Sequence, residues 1–207
     1  MLEDVLAATV HALNEHSVTA LVSEVDRDLR AVISLPANAP ADAIVDRLAE
    51  QIAARGRVAI GAGRVVIATA HIDRTLREAR QVVDAVPDER AGPIVHRLED
   101  VHIRGLLALL AEDDRLRLFV SRELDALRMH DEKHGDDLVR ALRALAQHPN
   151  SKSDAAASLH LSRPAFYARL AKIESVLGVR LDDPDVRVSL HVALLADELH
   201  RERHRSG

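Results

Sequence analysis

The sequence predicts an α+β fold, in which an antiparallel sheet with helices gives way to an all-α domain, and three observations carry that prediction. Up to Arg97, short β-branched runs alternate with segments of helical period. After Asp100, every periodic segment is helical. Aromatics make up only 1% of the 207 residues (Phe119, Phe166 and Tyr167), so Ala, Leu, Val and Ile must build the core. That composition favours helices packed closely through small side chains.

The elements follow in order. Residues 2–15 place Leu2, Val5, Leu6, Thr9, Val10 and Leu13 at helical spacing. Residues 18–24 (VTALVSE) and 29–35 (LRAVISL) are strands split by Asp26-Arg27-Asp28, a hairpin signal. Pro36, Asn38 and Pro40 break the chain. A helix over 41–54 carries Ile44, Val45, Leu48 and Ile52 on one face and stops at Gly56. Residues 57–61 (RVAIG) read as a short strand, 72–86 as a helix ended by Pro87, and Ile94–Arg97 as another short strand. This order predicts one mainly antiparallel sheet with helices on one side. Further helices are expected near 101–111, 113–129, 135–147, 151–159, 163–177 and 185–201, with breaks at Pro149-Asn150 and from Gly178 through Pro184. The domain division is therefore 1–97, a helical linker at 98–134, and 135–207.

Composition excludes several function classes. The chain has no cysteine, which removes disulfides, thiolate catalysis and thiolate zinc sites. No apolar run approaches the roughly 20 residues of a membrane span, and Glu3 and Asp4 stand where a signal peptide carries positive charge. The expected location is the cytoplasm. The net charge of −5 argues against a non-specific coater of nucleic acid, although a local basic face is what DNA binding needs.

Residues 151–170 (SKSDAAASLHLSRPAFYARL) carry the pattern of a helix-turn-helix. Ser151 or Ser153 can cap a first short helix, and Ala155-Ala156 is small where two helices approach. Leu159, Leu161, Phe166 and Leu170 are spaced to bury one face of each helix. Ser162 can cap the second helix, with Pro164 in its first turn, where a missing N–H costs nothing. His160 stands where many such motifs have Gly, and His tolerates the left-handed backbone less well than Gly. The second helix would enter the major groove of double-stranded DNA and offer its N-terminal residues to base edges. Its outward positions are Ser162, Arg163, Pro164, Tyr167, Ala168 and Ala171. Arg163 can donate two bonds to guanine O6 and N7. Tyr167 can reach a phosphate or a thymine methyl. Lys152, Arg169 and Lys172 are candidate phosphate contacts, with an intramolecular pair to an acid such as Asp154 the competing role for Arg169.

The tract over residues 159–199 resembles the C-terminal helix-turn-helix of the PucR/CdaR family of regulators. The matching residues are Tyr167-Ala168-Arg169-Leu170, Ile173-Glu174, Leu177-Gly178, Leu181-Asp182-Asp183-Pro184 and Arg187…Leu190…Ala193-Leu194. Upstream, Asp131…His134-Gly135…Leu138…Leu142-Arg143 is similar to the family's lead-in helix. Ser162-Arg163-Pro164-Ala165 departs from the His-Arg-Asn-Thr-like tetrad of many members, so only Arg163 carries over. Family members carry a degenerate GGDEF-like domain before the helix-turn-helix; VAIGAG (58–63) and Thr75–Arg80 are similar to its later strand and helix. The resemblance implies a transcription regulator, a homodimer or higher homo-oligomer, control of catabolic genes, and a small-molecule effector sensed by a domain further upstream. It also implies that this chain is a fragment of a longer regulator. A non-DNA-binding sensor or protein-interaction module on the same fold is the alternative.

The remaining motifs carry less. Gly61-Ala62-Gly63 lacks the following Lys-Ser/Thr of a phosphate loop and reads as a strand-end turn. His130 and His134 have metal-capable spacing but lack the Glu placement of a metalloprotease helix, and read as a solvated helix end. No Gly-Gly-Asp/Glu-Glu-Phe sequence exists in the chain, so the carboxylates a nucleotide cyclase uses to hold metal are missing. No catalytic residues, metal or cofactor are expected. Asp182–Asp185 reads as the cap of the last helix, where acids suit the helix dipole.

Overall fold

The computed structural model describes residues 2–56, 58–86 and 94–206, with side chains through Glu202. Two compact units divide the chain, residues 1–109 and 110–207.

In the first unit, α1 (Leu2–Glu15) leads into β1 (Thr19–Val25), which pairs antiparallel with β2 (Asp28–Ser34) in register Thr19↔Ser34 through Val25↔Asp28. The hairpin loop is the two residues Asp26-Arg27, and Asp26 takes the positive φ (57°) that a short hairpin requires. Alternation along the strands turns Ala20, Val22 and Ile33 toward one face. There they meet Ala12 and Leu13 of α1 and Ile44, Leu48 and Ile52 of α2 (Ala41–Ala53), a helix whose apolar residues recur every three or four positions.

The expected single sheet is instead two separate ladders among the described residues. β3 (Ile60–Gly61) and β4 (Val95–His96) are two residues each and pair in parallel, Ile60↔Val95 and Gly61↔His96. The expected start of β3 at Arg57, and Pro87 as a helix stop, lie outside the described residues. The helix α3 (Ile72–Ala85), entered through a 3-10 turn at Thr69–His71, explains the glycines beside β3. A Cβ on Gly61 would come within 2.6 Å of the Ala79 carbonyl oxygen, and one on Gly63 would collide with the Thr75 carbonyl. Thr75 Oγ1 also donates to the Arg64 carbonyl at 2.6 Å. Gly61-Ala62-Gly63 is therefore a strand end pressed onto α3, which leaves no open phosphate cradle. The helix α4 (Leu98–Leu109), interrupted at His102 (φ 44°), packs on α3 through Val82, Ala85, Val101 and Ala108.

The segment 98–134, expected as a linker, is divided between the units, since α4 packs on α3 and α5 (Asp114–His134) packs on α9 (Pro184–Ser206). The second unit is completed by α6 (Leu138–Gln147), α7 (Lys152–Ser158) and α8 (Arg163–Leu177). Its core is the aliphatic one that the composition requires: Leu124, Leu127, Leu138, Ala155, Ile173 and Leu199 are buried, with Phe166 the largest fully buried side chain. One carboxylate is buried there as well. Asp197 on α9 accepts hydrogen bonds from Arg128 and Arg201, and Arg143 lies 3.8 Å away, so α5, α6 and α9 meet at a neutralised charge.

Candidate nucleic-acid interface

Each turn of the two-helix corner has a local cause. Ser151 caps α7, its side-chain oxygen accepting from the Asp154 amide at 3.1 Å. The exit from α7 is a Schellman turn. The Leu161 amide donates to the Ala156 carbonyl (2.9 Å) and the His160 amide to the Ala157 carbonyl (2.9 Å), while His160 sits at φ 56°. Ser162 then caps α8 from an extended conformation, accepting from the Ala165 amide at 3.3 Å, and Pro164 occupies the first turn. Phe166, Leu170 and Ile173 bury the inner face of α8, and α7 packs on both α6 and α8. Leu159 and Leu161 are half-buried at the turn.

The outer face is thereby fixed. Ser162, Arg163, Pro164, Tyr167, Ala168, Ala171 and Lys172 are all exposed. Arg163 stands at the first residue of α8 and has no ion-pair or hydrogen-bond partner for its guanidinium among the described residues. Lys152, at the start of α7, places its ammonium 5.4 Å from the ring centroid of Tyr167, a cation–π contact that bridges the two helices at the surface. Acidic groups border this face. Asp182 is held below the usual carboxylate range, first by its hydrogen bond from Arg180 and with a smaller contribution from Lys152. The acidic run 182–185 does cap α9, Asp183 accepting from the Asp185 amide at 2.9 Å.

Arg169, expected as a phosphate contact, has a partner within the chain. It is half-buried, and its Nε donates to the Asp136 carbonyl at 3.0 Å, so its partner is a main-chain oxygen between α5 and α6 and not Asp154. At about 100° per residue, position 169 lies well round the helix from both Arg163 and Tyr167. The histidine pair is likewise engaged. The rings of His130 and His134 stack at 4.2 Å, and His130 Nε2 meets Asp136 Oδ2 at 2.8 Å. Three or more candidate metal ligands do not gather anywhere among the described residues.

Sequence reasoning missed two groups that shape the corner. The Asp131 carboxylate accepts from the Leu138 and Val139 amides (2.7 and 2.9 Å), capping α6 from the preceding helix, and Arg187 Nη2 donates to the Pro149 carbonyl at 3.2 Å. Asp131 belongs to the matched lead-in tract, but nothing in one sequence marks a cap seven residues away across a glycine.

Residues 138–196, from the start of α6 into α9, match the PucR C-terminal helix-turn-helix domain. Residues 1–85 match a GGDEF-like domain. The chain belongs to the PucR family of regulators. The two matches together take in well over half of this PucR-family chain, and they place a DNA-binding helix-turn-helix after the α+β unit, as in a transcription regulator. Among solved structures, a regulator of polyketide synthase expression from Bifidobacterium adolescentis is similar at 17% identity, over 98% of this chain and 81% of that one. The TM-score is 0.40. No curated protein matches the chain. Among the described residues of this PucR-family protein, no helix is long and apolar enough to cross a membrane.

Proposed function

We propose that the protein regulates transcription by laying α8 in the major groove of double-stranded DNA, with Arg163 reading a guanine and Lys152 and Lys172 contacting phosphates. The observation that carries this reading is the guanidinium of Arg163, exposed at the first turn of a capped helix and unpartnered among the described residues. That is where a recognition helix presents its base-reading residues. Ser162, Pro164 and Tyr167 line the same exposed end. One such corner reads only a few base pairs, so the protein acts as a homodimer on two half-sites. The GGDEF-like unit serves pairing or signal relay and is no cyclase, since the metal-holding carboxylates are missing from the sequence. Family resemblance supports catabolic target genes, a small-molecule effector and a cytoplasmic location.

A duplex selected by the wild-type chain from a randomised pool provides the test. Arg163→Ala should weaken binding to it by about 1–3 kcal/mol and relax the preference at one position. Affinity should fall steeply with salt as phosphate contacts release counterions. The rival reading, a sensor or interaction module without DNA, is favoured by the acidic border at Asp182 and Asp183. It predicts that no duplex is selected at all.

A further inference from the structure

The joint between α5 and α6 is more heavily tied than a two-helix connection needs. The helix α5 ends at Gly135 in the left-handed conformation (φ 72°), and Asp137, also left-handed (φ 54°), precedes α6 without capping it through its own side chain. Asp131 supplies that cap from one turn back. His130, only 12% exposed, holds the Asp136 carboxylate. The His130 hydrogen bond is the main cause that keeps Asp136 below the usual carboxylate range, with smaller contributions from His134 and Lys172. Onto this fixed point comes Arg169, from the middle of α8, donating to the Asp136 carbonyl. Along the rest of its inner face α8 is held by Phe166, Leu170 and Ile173, whose apolar contacts choose the buried side but, being non-directional, leave the fine rotation about the axis loosely specified. A directed N–H···O=C bond at mid-helix does specify it.

We propose that Arg169 is a positioning residue for DNA recognition: bonded to the α5–α6 joint, it fixes the rotation of α8 about its own axis and so the direction in which Arg163 and Tyr167 face the duplex. This rests on the DNA-binding reading above and assigns Arg169 a role other than phosphate contact. The carbonyl it uses cannot be changed by side-chain substitution, but the shell around that carbonyl can. His130 is the handle, because its bond to the Asp136 side chain orients the same residue.

The experiment measures equilibrium binding of the full chain to the selected duplex over a series of salt concentrations. The variants are Arg169→Gln, Arg169→Lys, His130→Gln, the Arg169→Gln/His130→Gln double variant and Lys172→Gln. Arg169→Gln should lose affinity about tenfold at every salt concentration, with the slope of log K against log salt unchanged. Lys172→Gln, a surface cation, should reduce that slope by about one. Arg169→Lys should not restore affinity, because an ammonium on a flexible stem cannot reproduce the planar Nε–H donor. The double variant should be weakened less than the two single effects combined, since both act on one joint. A loss of about one unit of slope in Arg169→Gln, or wild-type binding by Arg169→Lys, overturns the proposal and returns Arg169 to the phosphate contacts. Circular dichroism and melting of each variant guard against misfolding. If Arg169→Gln does not fold, the charge-retaining Arg169→Lys decides alone. Failure of the wild type to select any duplex would instead overturn the functional reading itself, a result separable from all of these.

Discussion

His160 carries an unusual burden for a residue with a side chain. It holds the left-handed position of the Schellman turn between α7 and α8, and it is exposed, so no tertiary contact compels it to be histidine. Left-handed backbone costs a non-glycine residue about 1–2 kcal/mol, part of which glycine gives back through its freer unfolded chain. His160→Gly should therefore raise stability by up to about 1 kcal/mol, read as an increase in melting temperature, with duplex affinity preserved. A decrease would show that the imidazole makes a contact of its own. At this scale much was legible. Ser162, Pro164 and the His at a glycine position mark the turn in the sequence, because capping and left-handed preference are local properties of the residues concerned. The role of Arg169 was not legible. Its partner is a carbonyl 33 residues earlier, and main-chain oxygens leave no trace in a sequence.

Among the elements, the hairpin and several helices were read closely and the second ladder was not: β1 and β2 lie within one residue of their expected bounds, while α5 and α9 each run five residues past theirs. Helical period and caps are local, so α1, α2, α3 and α8 lie within a residue or two of their expected bounds. β3 and β4 shrink to two residues each and pair in parallel because strand pairing is decided by what lies across the ladder, and α3 crowds that segment at Gly61 and Gly63. The start of α5 offers a test of its own. Asp113 caps it by accepting from the Arg115 amide, and the Arg115 guanidinium adds two further bonds, at 3.0 and 2.7 Å. Those bonds from Arg115, side chain first and amide second, bring the Asp113 carboxyl down to about 2. An unfolded chain returns it to about 3.9. Since the folded value is the lower one, the cap's contribution is present above about pH 3.9 and fades as pH falls toward about 2. Carboxyl titration by NMR should place the Asp113 midpoint near its lowered value, and Arg115→Ala should move it back up. An unmoved midpoint would sink the assignment to Arg115.

For the molecule as a whole, the two units have separate cores and separate vulnerabilities. Gly63 admits no Cβ because the Thr75 carbonyl occupies the place, so Gly63→Ala must displace α3 and should destabilise the first unit by about 1–3 kcal/mol. Calorimetry should register that loss, while affinity for the selected duplex stays within about twofold, as expected of sites that share no core. A large drop in affinity would mean that the core of residues 1–109 is needed for recognition itself. Charge, too, is organised by region: the chain as a whole is acidic, yet Lys152, Arg163 and Lys172 are all exposed on the two helices of one corner.

The ring of Tyr167 beneath the Lys152 ammonium has a practical consequence, because the chain holds one tyrosine and no tryptophan. Under excitation that passes over phenylalanine, every photon this polypeptide emits originates at that ring, on the proposed groove-facing surface. The unlabelled protein is thus its own optical probe, quenched or brightened only by what happens within a few ångströms of α8.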